Sequence, residues 1–381
     1  MSRRIILPLV ILILLIAGVP LVNGWAAHKI SNTLMQNSGL KINKHQYNWG
    51  YFSGQEVFWI AAQDKPAKVT IDSHYFGLGP TAKIFFNGKP TLASRWSWHP
   101  FSISMSGEHH YIGDTSLFRH LQLTTIVSSH HLINTAKLSS FQQKTANSSI
   151  LIKGFELVSK AHYSRAKSSN EEQAKWQFKL HIDQLNLQNP HYQWALKALN
   201  WHTDITPKQP LSDYQTDFEL GKLHYRGKAL ATNLDSIKAH ISMQASRQAI
   251  HLLSSTPSGH WNNWQQQLTP LIANGLHIQV HPLQMHDGKQ QLSLHSSLSI
   301  TPTSLSDSSL DTMLLLQNTS MELHASADSQ LLDKLLPDPV LAWIEHAIHS
   351  GLIIQQGKML KTDLIYQRGE LKPDTSDSDN D

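Results

Sequence analysis

The first hydrophobic signal in the chain is unbroken. Residues 5–22 carry no charge, and Ser2-Arg3-Arg4 stand directly before them. These eighteen residues would span about 27 Å as a helix, close to the hydrocarbon core of a bilayer. The run predicts one transmembrane helix. Arg3 and Arg4 stay on the cytoplasmic side by the positive-inside rule, and Trp25 sits at the far interface. A cleaved signal peptide is the alternative. Its apolar region is usually about 7–15 residues, shorter than this one, but Gly24 and Ala26 form a small-x-small site.

Residues 26–39 continue at helical spacing through Ile30, Leu34 and Met35, with Gly39 as a stop. The period then changes to two. Aromatic alternation across Tyr47–Phe52 and Glu56–Ile60 reads as strand, turn, strand. The same texture recurs at Ile103–Ser106, Leu121–Leu123, Ile150–Ile152, Phe178–Ile182, Leu276–Val280, Leu292–His295 and Met321–His324. Apolar residues alternate there with Ser, Gln, Asn, His or Lys, the pattern of half-buried antiparallel strands. Two helical stretches interrupt it. One is His260–Ile272; the other is Ser329–His349, broken at Pro337 and Pro339 and closed by Gly351. The polar stretch 161–176 reads as a loop or hairpin tip, and 372–381 as a disordered acidic tail.

The expected fold is therefore mostly β with a few helices (α+β). An N-terminal transmembrane helix, residues 1–25, precedes an extended, curved antiparallel sheet or a pair of stacked sheets, residues 26–371. That body has a natural division into two lobes near 160–175.

Composition narrows the function classes. Of 381 residues, 40 % are apolar and only 16 % charged, with 11 Trp, 11 Phe and 9 Tyr, which suits a folded body. A net charge of +4 argues against nucleic acid as a partner. The absence of Cys excludes disulfides, thiolate metal sites and a thiol nucleophile. The 24 histidines raise a metal hypothesis. However, His109-His110 and His130-His131 are neighbours, which point to opposite faces of a strand. His277 and His281, and Glu345 with His346 and His349, have chelating spacing but belong to no dense cluster. The histidines read best as polar face residues, with collective charging at acidic pH as the alternative.

Catalytic motifs are poor. There is no GxSxG, P-loop or GxGxxG. Ser164 and Lys167 fit SxxK but sit in a polar stretch. Asn147-Ser148-Ser149 and Asn318-Thr319-Ser320 match glycosylation sequons. No catalytic residue, metal or cofactor is expected. The aromatic clusters read as core, or as a trough for acyl chains.

One N-terminal span, then Tyr47-x-x-Gly50-x-Phe52-Ser53, then Gly79-Pro80, resembles the bacterial YdgA-like family of anchored envelope proteins, a domain of unknown function numbered nine-four-five. Trp49 stands where that pattern has Arg, and Gly54 where it has a second Ser. Gly275–Ile300 resembles the family's late hairpin and Gly351–Leu371 its closing strands. AsmA-like envelope proteins are a neighbouring alternative. The resemblance implies a single-pass bacterial inner-membrane protein, held by residues 5–22, with a periplasmic body and no catalytic residues. The expected function is non-enzymatic binding of lipid or another envelope component on an amphipathic sheet. The alternative is a scaffold that pairs through sheet edges with itself or a partner protein.

Overall fold

The computed structural model describes residues 42–60, 66–75, 79–99, 104–112, 116–128, 130–165, 172–208, 211–226, 231–246, 275–302, 316–336 and 338–373, together with Pro20, Asn23, Gly24, Ala27 and His28. Strand dominates, as the period-two pattern predicts: these residues hold twenty strands and two helices longer than one turn. Two compact units are present. One comprises Met1–Leu138 with Val158–Tyr163, the other Ser139–Leu157 with Ser164–Asp381.

The first unit is an antiparallel meander. Strands β1 (Ile42–Trp49), β2 (Ser53–Ile60), β3 (Ala67–His74), β4 (Thr81–Phe86), β5 (Lys89–His99), β6 (Ser104–Tyr111), β7 (Gln122–Ser128) and the start of β8 (His131–Lys144) each pair with the next. A single helical turn, α1 (Ser116–Arg119), links β6 to β7. Asn87 and Gly88 both take positive φ between β4 and β5, as a two-residue hairpin turn requires. Phe58, Val69, Trp96, Met105 and Leu132 are buried at alternate positions and form the core. Gly107 leaves room for the Trp96 indole, since a Cβ there would lie 2.9 Å from the ring.

Pro20, Asn23, Gly24, Ala27 and His28 are helical and three or four residues apart, so they share one helix face. Asn23 is buried and its Nδ2 donates to the Tyr75 carbonyl at 2.7 Å. The His28 ring stacks on Tyr47 at 4.4 Å. The remainder of the expected membrane span and of the 26–39 helix lies outside the described residues. Among the described residues no helix is long and apolar enough to cross a membrane.

The second unit continues with β9 (Ser149–Arg165), β10 (Glu172–Gln188), β11 (Gln193–Thr206) and β12 (Ser212–Arg226), paired in that order. Strand β12 then pairs with both β13 (Ala231–Leu234) and β14 (Ser236–Ala245). From β14 the ladder runs through β15 (Leu276–Asp287), β16 (Gln290–Ile300), β17 (Thr319–Asp328) and β19 (Met359–Gln367). The short β18 (Ile354–Gln356) and β20 (Glu370–Pro373) line the outer edge of β19. Helices α2 (Ser329–Leu335) and α3 (Asp338–His349) lie in the connection from β17 to β18.

Three expectations are corrected. The polar stretch 161–176, read as a loop or hairpin tip, is strand at both ends: β9 runs to Arg165 and β10, its partner, begins at Glu172, because the backbone ladder, not apolar side chains, carries a hairpin arm this far; 166–171 lie outside the described residues. The Ser329–His349 helix breaks once. Pro339 falls in the first turn of α3, where a missing N–H removes no helical bond. Lys372 and Pro373, read with the acidic tail, close β20 opposite Ile365 and Leu364. Gly351 does end α3, at φ +78°, with Leu352 N donating to the Ala347 carbonyl. His260–Ile272 and residues 374–381 lie outside the described residues.

Candidate functional site

Four of the six motif residues, Tyr47, Phe52, Gly79 and Pro80, meet two aromatic side chains, Tyr75 and Trp96. Gly50 N donates to the Ser53 carbonyl at 2.8 Å and closes the β1–β2 turn. Phe52 is 58 % exposed, and its carbonyl accepts from Tyr75 N at 2.9 Å. Tyr47 and Tyr75 share a hydroxyl–hydroxyl bond of 3.2 Å, and burial pushes both phenols above their ordinary range. Gly79 faces the Trp96 carbonyl, 2.1 Å from where a Cβ would be, and the Pro80 carbonyl accepts from Trp96 N. Nearby, buried Glu56 is held by His45 Nε2 at 2.5 Å. Every polar group named in this cluster is engaged in holding backbone or ring positions. The contacts of the motif lie within the first unit.

The second unit carries a different feature. Antiparallel register places Trp176, Ile205, Tyr214 and Met243 side by side on one face. The next row is Phe178, Thr203, Thr216 and Ile241, where the two threonine hydroxyls bond each other; beyond it come Leu180, Trp201, Phe218 and Ala239, then Ile182, Leu199, Leu220 and Ile237. The face continues through Met285, Leu292, Ala327 and Leu360. A register shift between Val280 and Leu283 in β15 inserts one residue, so the apolar residues before and after it stay on the same side. From β10 to β19, eight strands about 4.8 Å apart make an apolar strip about 34 Å across.

Helices α2 and α3 cover one end of this strip without filling it. A cavity of about 480 Å³ remains between them and the sheet. Leu234, Leu283, Met285, Leu294, Leu335 and Trp343 are among the apolar side chains that line it, and the polar residues in its wall are Lys361 and Thr362. Trp343 is 57 % exposed at its rim. Toward the other end of the strip Trp201 is 48 % exposed, and Phe178 and Ile241 are exposed as well.

The family model for bacterial proteins of unknown function DUF945 matches residues 81–372. The chain belongs to that family. No curated protein and no solved structure matches it. The DUF945 match takes in the Gly275–Ile300 and Gly351–Leu371 stretches on which the resemblance partly rested. It also runs through 100–260, and begins just after Pro80.

Several histidines of this DUF945 chain lie on the second unit's strands beside polar partners. His181 bonds Asn200 and Asp183, His240 bonds Asp217 at 2.6 Å, and His324 bonds Asp363 at 2.9 Å. These partners raise the His181 pKa above its ordinary value, the Asn200 bond first. On α3, His349 Nδ1 donates to the Glu345 carbonyl. Among the described residues no three His, Asp or Glu side chains are grouped to hold a metal ion.

Proposed function

We propose that the second unit binds the acyl chain of a lipid, without catalysis, on its apolar strip and in the cavity at its helical end. The protein acts in the bacterial envelope, tethered to the inner membrane by residues 5–22, with its body in the periplasm. The observation that carries this reading is the continuity of the strip. An apolar wall runs from a cavity within the usual size range of ligand sites to an exposed aromatic end at Trp201. A strip about 34 Å long exceeds one leaflet of a bilayer's ~30 Å hydrocarbon core, so a tail fits along it extended. Exposed apolar surface of this extent marks an interaction site more often than chance packing.

Scaffolding through sheet edges is less well supported. The β19 edge is covered by strands of three and four residues, and Lys372 and Pro373 stand in β20. Short strands, Lys and Pro are the devices that block edge pairing. Photocrosslinking tests the lipid reading. A fatty acid with a diazirine along its tail should mark Leu283, Leu294, Leu335 or Trp343. Labelling confined to the first unit, or to the polar faces, contradicts it.

A further inference from the structure

A second cavity lies wholly within the first unit, and its chemistry differs. Its volume is about 260 Å³. Ala27, Ile71, Pro80, Ala82, Ile84, Leu92 and Trp96 supply apolar wall, while Ser94, His109 and Thr125 supply the polar part. These three belong to a ladder that crosses four strands. His109 Nδ1 lies 2.7 Å from Ser94 Oγ, and Nε2 lies 3.0 Å from Thr125 Oγ1. Thr125 Oγ1 in turn donates to Asn134 Oδ1 at 2.9 Å. Ser94 stands directly opposite His109 across β5–β6, and Thr125 opposite Asn134 across β7–β8.

The last bond fixes the direction of the others. Thr125 spends its only proton on Asn134, so it accepts from His109 Nε2–H. His109 Nδ1 is then the bare nitrogen, and Ser94 donates to it. The three donors on the cavity wall, Ser94 O–H, His109 Nε2–H and Thr125 O–H, are all used within the ladder. Two lone pairs of Ser94 Oγ and one of Thr125 Oγ1 are left without a partner in the ladder.

We propose that this cavity binds a small, neutral, largely apolar molecule carrying one hydroxyl or amide N–H, which donates to Ser94 Oγ or Thr125 Oγ1. A wall of acceptors without a free donor selects for a donor, because a buried acceptor is costly to leave unmatched. An anion finds neither an N–H nor a cation there, and a bare charge in such a cavity is expensive. The Ser–His pair also has the outline of a nucleophile and base. Burial, however, holds His109 down at about 4, below the range near 7 that serves a general base, and Thr125 and Asn134 offer no charge to steady an imidazolium. The site therefore binds and does not cleave. It is independent of the acyl-chain reading, which concerns the other unit.

Three matched probes test it on the full chain, ring-labelled at histidine and observed by NMR in one fixed detergent. Benzyl alcohol should shift the His109 signal saturably. Toluene should need at least tenfold higher concentration, and sodium benzoate should leave the signal unmoved. In Ser94→Val, shown folded by its unchanged circular dichroism, the preference for the alcohol over toluene should fall at least threefold. Equal affinity for alcohol and toluene, a benzoate response, or no His109 response to any probe in the wild-type chain overturns the proposal.

Discussion

Gly54 and Tyr75 share a space that leaves no room for a side chain: a Cβ on Gly54 would lie 2.0 Å from the Tyr75 hydroxyl. Tyr75 is fully buried, bonds Tyr47, and takes the Asn23 side chain on its carbonyl. Gly54→Ala must therefore displace Tyr75 and loosen both contacts. Overpacking of this kind costs about 1–3 kcal/mol. Urea unfolding followed by fluorescence should show that loss, and Gly88→Ala, whose Cβ would meet nothing, is the comparison for backbone strain alone.

Leu331 anchors α2 to the sheet and is 0 % exposed. Leu331→Ala should lower stability by about 2–5 kcal/mol, as buried leucine truncations do. Hydrogen exchange should locate the effect in α2 and α3 first. Uniform loss across the first unit as well would mean that the helices are not a local cover.

Acid should weaken the first unit through His109. Its folded pKa is lowered to about 4 by burial, with His110 adding a smaller push, while an unfolded histidine titrates near ~6.5. The folded state thus binds fewer protons between those values, so stability falls as pH drops from about 6.5 toward 4, by about 3 kcal/mol at most. His181 has the opposite sign. Its raised pKa gives stability that is full below the unfolded value and fades as pH rises through the folded one. Urea midpoints at pH 7 and pH 5 should differ in wild type and differ less in His109→Gln.

Trp201 should matter to binding more than to folding. It is 48 % exposed on the apolar strip, and exposed substitutions usually stay within about 0.5 kcal/mol. Trp201→Thr should keep the wild-type melting temperature and bind a fluorescent fatty acid more weakly. Equal binding would remove the Trp201 end of the strip from the site.

Much of the fold is legible in local alternation. Leu276–Val280, Leu292–Leu294 and Met321–Leu323 announce both their strand state and their apolar side, because period two is a local property. The polar hairpin arms near Arg165 and Glu172 were not legible, since their ladder needs no apolar side chains. The candidate sites are harder still. Tyr75 and Trp96 become hubs through Gly54, Gly79 and Gly107, whose missing side chains make room from distant strands. Ser94 alternates with Leu92 and Trp96, a local hint that it faces inward, but its pairing with His109 depends on a non-local register. The apolar strip was foreseeable as an amphipathic face. Its cavity was not, because the packing of α2 and α3 over β15–β19 sets it.

The central claim is that the second unit holds an acyl chain, and lipid retained by the purified chain tests it most directly. Full-length protein extracted from bacterial membranes and passed through gel filtration should carry acyl lipid in near-stoichiometric amount by mass spectrometry. Ala325→Phe, which adds a ring to the lining and narrows the cavity, should lose most of that lipid while keeping its melting transition. No lipid above that of an unrelated single-span protein, or equal lipid in the folded Ala325→Phe chain, would contradict the account.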